Sequence, residues 1–564
     1  MSTVVESKSV SKGARRGNRS PYLPKGRQTK DSALEEIRVL LGDAPRQRDM
    51  LIEYLHLIQD HYKQVSAEHM AALAEEMRLA MTEVYEVATF YHHFNVTRDA
   101  HSKAANLTVR VCDGISCEMR GAHNLLEDLT KKYNTEEGVV RVIHAPCVGA
   151  CDRAPIAVVG QRQLYHADNA KTIAAIEARN DQPDRPEYQG YLAYIDNGGY
   201  TTWKACKNGE RSREDVISMI DSSGLRGLGG AGFPTARKWS FLENTPKPRI
   251  VAINADEGEP GTFKDRYCFE TAPHRVLEGI LIAAWAVEAD TAYIYLRDEY
   301  PQVRTILLSE IAQLEDKNMT GGIKLHLRRG AGAYICGEES AMLESIEGKR
   351  GIPRNRPPFP AQAGLFGLPT LINNVETMYW ISAILENGPD WYHDKGRPHF
   401  YSVSGRIKEP GVKLAPAGTT ARQLINEYCG GMEDGHTFNA YLPGGASGGL
   451  LPAEKGDLPL DFGALDEYGC FIGSSAVVVF SNQDNIRDIC RNLINFFEYE
   501  SCGQCTPCRV GCEKMMKLIS QPRWDIDLIQ ELCDTMQDAS ICGLGQAAPN
   551  PVLSALRFFE EDVK

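Results

Sequence analysis

The sequence predicts an α/β multidomain protein with helical segments near both ends. Three observations carry that prediction. Apolar residues alternate in strand-like runs, and these runs are interleaved with stretches of helical periodicity. The chain of 564 residues suffices for about three to five domains of ordinary size. Turn-rich stretches of Gly, Pro and Asp separate the patterned regions.

Taken in order, residues 1–30 carry eight Lys/Arg against one acid, Glu6. No apolar h-region follows, which excludes a secretory signal. The composition reads as a basic disordered tail. A transit peptide, or an arm that docks on an acidic partner, would share it. Residues 31–100 read as a helical domain. Leu51, Tyr54, Leu55, Leu57 and Ile58 recur at three- and four-residue steps, and Ser66 before Glu68, Ala71, Leu73 and Met77 marks a capped helix. His56, His61, His92 and His93 lie here without metal-ligand spacing to any cysteine. Packing or surface roles are expected for them, with metal binding as the alternative.

Residues 101–180 form a small α/β unit. Leu107, Val109 and Val111 share one strand face, "GVVRVIHAPC" supplies a second strand, and "DNAKTIAAIEARN" a helix. Residues 181–200 read as a linker. Residues 201–395 form a larger α/β region, with strands "RIVAINA" and "TAYIYLR" around the helical "PHRVLEGILIAAWAVEA". Residues 396–485 read as mostly β and residues 486–564 as helical. No fixed-period repeat is present, so a solenoid is not expected.

A net charge of −13 argues against nucleic acid as the main partner. The longest clean apolar run, about Gly279 to Val287, falls far short of a membrane span, so any membrane link must come through a partner. The 16 cysteines are clustered in a large chain without a secretory signal. They read as metal ligands before disulfides, and a reducing cytoplasm is the expected compartment.

The segment "SCGQCTPCR" sets Cys502, Cys505 and Cys508 at C-x2-C-x2-C, with Cys542 following in "ASICGLGQ". Three thiolates on one tight turn and one from afar suit a [4Fe–4S] cubane, one cysteine per iron. Zinc, which usually takes two separated pairs, is the alternative. Cys512 and Cys533 break the spacing and read as inert helix thiols. In the small α/β unit, Cys112 and Cys117 form C-x4-C and Cys147 and Cys151 form C-x3-C, each pair following a strand. Two pairs match a [2Fe–2S] rhomb, two thiolates per iron, and zinc competes on ligand count.

Gly227, Gly229 and Gly232 give G-x-G-x-x-G in "GLRGLGGAGFPTARKW", a weak motif alone because no strand leads into it. Its glycines still let backbone N–H groups approach phosphates, with Lys238 nearby. Two acid clusters follow: Asp256, Glu257 and Glu259 in "NADEGEPGTFKDR", and Glu338 and Glu339 beside Tyr334 in "GAGAYICGEES". Both are set in glycine turns and suit ribose, ribityl and amide hydrogen bonding. Phe233, Phe241 and Phe359 are candidates to stack on an adenine ring.

Together with "KRGIPRNRPPFP" and "PTLINNVET", these segments resemble the NADH-binding flavoprotein subunit of respiratory complex I over about residues 190–564. Residues 31–180 resemble the thioredoxin-like [2Fe–2S] subunit of the same complex, here fused in front. The resemblance implies a helical plus thioredoxin-like [2Fe–2S] domain, a Rossmann-like FMN/NADH domain, a β-grasp-like domain and a C-terminal helical [4Fe–4S] bundle. It implies FMN held by Gly227, Gly229, Asn254, Asp256, Glu257, Tyr334, Gly337, Glu338, Asn373 and Asn374. It implies NAD(H) near Gly230, Ala231, Phe233, Lys238, Phe241 and Phe359, with Glu259 and Glu339 as the catalytic acids beside it. It makes Cys502, Cys505, Cys508 and Cys542 ligands of a [4Fe–4S] cluster, and Cys112, Cys117, Cys147 and Cys151 ligands of a [2Fe–2S] cluster. Leu228 stands where many relatives carry Arg, so no phosphate role is assigned there.

Fused chains of this kind occur in NAD-reducing hydrogenases and in soluble NAD-dependent formate dehydrogenases. The stretches "RQRDMLIEYLHLIQDHY", "GRIKEPGVKLAPAGTT", "YLPGGASGGLLPAEKGDLPLDFG" and "SSAVVVFSNQD" are similar to the β subunit of molybdenum- or tungsten-containing formate dehydrogenases. That similarity implies a catalytic Mo/W-pterin α subunit as partner. A hydrogenase diaphorase and a complex I-like NADH dehydrogenase module are the alternatives. A non-catalytic docking module with structural zinc is the reading of another class.

Overall fold

The computed structural model describes residues 27–98, 104–134 and 138–563. Most of the basic tail, residues 1–26, lies outside the described residues. Helices Asp31–Leu41, Leu51–Tyr62, Ala67–Met77 and Met81–Phe90 build the N-terminal unit. Ser66 Oγ accepts the His69 N–H at 3.1 Å, the cap expected of that helix. Ion pairs join the unit to the larger α/β region: Arg328 pairs with Asp49 at 2.7 Å, and Arg329, which also meets Asp298 of its own region at 2.5 Å, pairs with Asp60 at 2.7 Å.

That seam also gathers two of the histidines. The rings of His56 and His93 lie 4.9 Å apart, and His93 Nδ1 is 2.7 Å from Asp298. The trio is close enough to grip a cation. Arg329 already supplies the positive charge that Asp298 requires, so the geometry favours an ion-pair seam.

Strands Leu107–Cys112 and Val140–Ala145 pair in parallel, and Ala157–Val159 and Arg162–Leu164 add antiparallel, giving a four-stranded sheet. Helices Ala122–Tyr133 and Asn169–Glu177 complete this thioredoxin-like unit. The region read as a linker is partly helical, because Tyr191–Asp196 forms a helix with Tyr194 buried. Glu278 holds it to the next domain, accepting from Tyr194 Oη at 2.6 Å and from the Tyr200 and Trp203 N–H groups at 3.1 and 3.0 Å.

The central sheet is all parallel, in the order Thr370–Asn374, Ile250–Ala255, Thr291–Leu296, Lys324–Arg329. Three of its strands are largely buried because helices such as Pro273–Ala286, Pro301–Asp316 and Val375–Asn387 cover the sheet, while the edge strand Lys324–Arg329 is polar. The loops at its carboxyl edge carry Asp256, Arg297 and Gly330, where open α/β sheets place ligands. Beneath them Lys264, 1% exposed, sits 2.8 Å from Asp265 and 3.0 Å from Glu376.

A mixed five-stranded sheet follows, ordered Gly411–Ala415, His399–Gly405, Ala476–Ser481, Phe438–Leu442, Leu451–Pro452. His399 is buried in it. Burial, helped by the nearby Lys264 charge, lowers its pKa from 6.5 to about 4. A histidine kept neutral in the fold stabilises fully above its unfolded pKa, and that contribution is lost as pH falls toward 4. His399→Leu is therefore expected to remove up to about 3 kcal/mol of acid-linked destabilisation between pH 6.5 and 4. Denaturant titrations of variant and wild type should diverge over that range, and parallel curves would contradict the assignment.

Helices Ile486–Glu500, Thr506–Ile519, Ile526–Ala539 and Asn550–Phe558 close the chain. Among the described residues, no helix is long and apolar enough to cross a membrane.

Candidate functional site

The register of the small sheet creates the first cysteine cluster. Cys112 ends one strand opposite Ala145, which places it beside Cys147 on the neighbouring loop. Gly114 lets the loops close, since a Cβ there would lie 3.3 Å from Cys147 Cβ and 3.6 Å from Cys112 Sγ. Cys147 and Cys151 sulfurs are 3.4 Å apart, and Cys112 hydrogen-bonds to both Cys117 and Cys147. All four are buried. Hydrogen bonds from Cys112 and Cys151 push the Cys147 thiol well below its ordinary pKa, and its partners rise. Four buried cysteines gathered from two loops fit a small iron–sulfur cluster better than inert thiols.

The second cluster sits at two helix starts. Cys505 is the N-cap of helix Thr506–Ile519, and Cys542 is the N-cap of the short helix Gly543–Ala547. The Cys542 sulfur accepts the Leu544 and Gly545 N–H groups, and Cys502 accepts that of Gln504. Helix N-termini and amide donors suit an anionic thiolate cluster. Cys508 is buried, while Cys502, Cys505 and Cys542 are partly exposed. Cys512, read from the sequence as an inert helix thiol, hydrogen-bonds to Cys508 and holds it down to about 7. None of the 16 cysteines is in a disulfide.

Between the clusters lies the glycine loop, which no strand precedes. It runs from helix Arg213–Ser222 to helix Thr235–Ser240. Side chains would fill this cradle: a Cβ at Gly229 would lie 3.0 Å from Asn374 Cβ, and one at Gly232, where φ is +62°, would lie 2.5 Å from the Phe462 ring. Gly227 N–H donates to Phe233 O, and Leu228 is buried with its N–H on Thr377 Oγ1. Gly230 and Ala231 continue the turn.

The acidic and amide residues divide into two groups. Glu257 is spent within the chain, accepting the Asp265 and Arg266 N–H groups at 2.8 and 3.1 Å and Tyr300 Oη at 2.9 Å. Asn254 donates to Gly337 O at 2.8 Å and accepts the Asp256 N–H. Asn374 donates to Asp265 at 2.6 Å and caps helix Val375–Asn387. Their side chains are engaged within the chain and shape the site. Asp256 Oδ2 and Asn373 Nδ2 are buried without partners, one an acceptor and one a donor. Burial raises the Asp256 carboxyl well above its usual range. Two orphaned polar atoms, on or just after two paired strands of the central sheet, fit a hydroxyl- and amide-rich ring cofactor such as FMN.

Glu259 accepts from Tyr334 Oη and from the N–H and Oγ of Ser447, both at 2.7 Å, so it joins the flavin loop to the mixed sheet. At the mouth, Glu339 lies 3.3 Å from Lys238 and 3.0 Å from Arg356, and Glu338 lies 2.6 Å from Arg356 while capping helix Glu339–Ile346. Phe233, Phe241 and Phe359 stay 38%, 50% and 52% exposed, with Phe233 and Phe241 rings 5.8 Å apart. Apolar rings left in water fit an adenine.

Arg297 belongs to none of the sequence motifs. It is 5% exposed and donates to Glu257 O and, at 2.7 Å, to Cys147 O. It ties the first cysteine cluster to the flavin loop. The signal available was an arginine closing an apolar strand. Glu500, two residues before Cys502, accepts the Tyr334 N–H at 2.8 Å and ties the second cluster to the same site.

Residues 37–180 match the family described as thioredoxin-like [2Fe–2S] ferredoxin, residues 220–383 the Nuo51 FMN-binding domain, and residues 488–564 the NADH-ubiquinone oxidoreductase-F iron–sulfur binding region. The chain is 38% identical over 399 residues to the F 2 subunit of NADH-quinone oxidoreductase of Rhizobium meliloti (strain 1021), covering 67% of this chain and 94% of that one. It is 38% identical over 392 residues to the F subunit of NADH-quinone oxidoreductase of Escherichia coli (strain K12), covering 65% and 88%. Among solved structures it is similar to a chain of an NAD+-reducing [NiFe]-hydrogenase in the H2-reduced state, with a TM-score of 0.81, 31% identity, and coverage of 92% and 93%.

Proposed function

The chain belongs to the family of NADH-quinone oxidoreductase F subunits, with a [2Fe–2S] domain in front, and from that premise we propose that it is the NAD(H)-facing electron-transfer subunit of a larger dehydrogenase. FMN, NAD(H), one [2Fe–2S] and one [4Fe–4S] cluster are its cofactors. The reading is supported by two links to the proposed nucleotide cleft: Arg297 donates to both Cys147 O and Glu257 O, and Glu500, two residues before Cys502, accepts the Tyr334 N–H.

FMN, when bound, supplies the exchange between a two-electron hydride and the single electrons that iron–sulfur clusters carry. The chain's residues hold and orient. The glycine loop offers backbone N–H groups to phosphate, and Asp256 and Asn373 supply the free acceptor and donor. Glu257, Asn254 and Asn374 fix the loops on which these sit. Phe233, Phe241 and Phe359 take the adenine, and Lys238, Glu339 and Arg356 meet the polar part of the dinucleotide at the mouth. Glu259 and Tyr334 close the inner wall against water.

Glu339→Gln is expected to raise KM for NADH roughly tenfold, the loss of about one charged hydrogen bond, while FMN content stays unchanged. Steady-state kinetics and flavin absorbance measure the two separately. Equal loss of both would mean that Glu339 serves the flavin.

We further propose that the partner is a Mo- or W-pterin formate-oxidising subunit and that electrons pass from it to NAD+. The support is the similarity of the four stretches beginning at Arg46, Gly405, Tyr441 and Ser474 to formate dehydrogenase β subunits. A second reading, the NAD(H) module of a hydrogenase, is favoured by the fold likeness along 92% of the chain. The isolated chain should oxidise NADH with an artificial acceptor and leave formate untouched. Formate oxidation by the chain alone would contradict the division of labour. Metal analysis of the co-purified complex separates the readings: molybdenum or tungsten supports formate, and nickel with hydrogen uptake supports the hydrogenase.

A further inference from the structure

One of the four cysteines assigned to the larger cluster has a side-chain hydroxyl against its sulfur. Ser501 Oγ lies 3.3 Å from Cys508 Sγ. Cys512, four residues on along helix Thr506–Ile519, stands one turn away on the same helix face with its side chain buried.

The packing holds this arrangement in place. Cys512 is 0% exposed and Cys508 5%. Helix Ile526–Ala539 presses on the same turn, since a Cβ at Gly511 would lie 2.6 Å from Met536 Cγ. The short helix after Cys542 presses on Cys508, where a Cβ at Gly545 would lie 2.7 Å from Cys508 Cβ. The Cys512 side chain has no room to turn to solvent without unpacking the helices, and Ser501 is partly buried. Once Cys508 binds iron it has no proton, so the direction of both bonds is fixed: Cys512 S–H and Ser501 O–H donate, and the Cys508 sulfur accepts.

We propose that Cys512 and Ser501 are positioning residues for the [4Fe–4S] cluster, donating to the Cys508 sulfur and raising the potential at which the cluster accepts an electron. Reduction adds negative charge to the cluster and its thiolates. A donor at a ligand sulfur stabilises the reduced form more than the oxidised form. Two side-chain donors on the buried ligand give the chain a control on this potential that the cysteine spacing does not show.

The inference rests on the reading of Cys508 as a cluster ligand, and one series of variants separates the two. The full-length holoprotein is titrated with mediators, and the cluster is followed by electron paramagnetic resonance with iron content measured in parallel. Cys512→Ala and Ser501→Ala are each expected to shift the midpoint downward with iron content unchanged. Cys512→Ser, which restores a stronger O–H donor, is expected to bring it back to the wild-type value or above. Unchanged midpoints in both alanine variants would overturn the proposal, as would equal shifts in Cys512→Ala and Cys512→Ser, which would mark packing. Loss of the cluster in both Cys512 variants would make Cys512 a ligand and also overturn it. A full cluster signal in Cys508→Ala would instead refute the ligand assignment beneath it.

Discussion

Lys264→Met is expected to destabilise the flavin-binding domain by about 3–5 kcal/mol and to release the flavin. Lys264 is 1% exposed and reaches two carboxylates, Asp265 at 2.8 Å and Glu376 at 3.0 Å. Burial opposes its charge, but these two acids outweigh burial and hold the lysine protonated above its ordinary range. Removing it leaves uncompensated negative charge in the core. The damage reaches the site because Asp265 is also the partner of Asn374, which lies against Gly229 of the cradle. At roughly 2–4 °C per kcal/mol for a domain of this size, the melting temperature should fall by roughly 6–20 °C. Calorimetry and flavin release measure both effects. A variant that melts like wild type would mean that the acids take up protons at little cost.

The second large effect separates binding from stability. Asp256→Ala is expected to weaken FMN binding by about 1.5–3 kcal/mol, or roughly 10- to 150-fold. The same change should leave the flavin-free chain as stable as before, or more stable. The carboxyl is buried with Oδ2 unpartnered, and burial raises its pKa well above the usual range, so the empty fold gains nothing from it. Flavin titration and melting of the flavin-free protein give the two numbers. Loss of stability without loss of affinity would reverse the assignment.

What could be read from the sequence was chemistry carried by local spacing. The intervals among Cys502, Cys505 and Cys508, and within the two earlier pairs, are short enough that covalent geometry nearly fixes which sulfurs meet. The helices around Leu51 and Ser66 and the strands ending at Cys112 and Ala145 follow from periodicity, because one face of each must be buried. The division of the flavin residues could not be read. Asn373 and Asn374 are neighbours of one type, and only the fold shows that Asp265 and the helix after Asn374 consume one amide and leave the other free.

Long-range pairs were hidden for the same reason. His56 and His93 meet Asp298 only because the N-terminal helices pack on the central sheet. Arg297 binds Cys147 O only because two domains touch. The stretch around Tyr191 has a linker's composition, yet Glu278 draws it into a helix. Cys512 broke the ligand spacing and so read as inert, although helical periodicity sets it one turn from Cys508.

Two iron–sulfur clusters and a flavin share this one chain. Iron, acid-labile sulfide, zinc and flavin are determined on the purified full-length protein. The expected result is one FMN per chain, with four irons for one cluster and two for the other and matching sulfide. A colourless protein that contains zinc, and neither iron nor flavin, would contradict it.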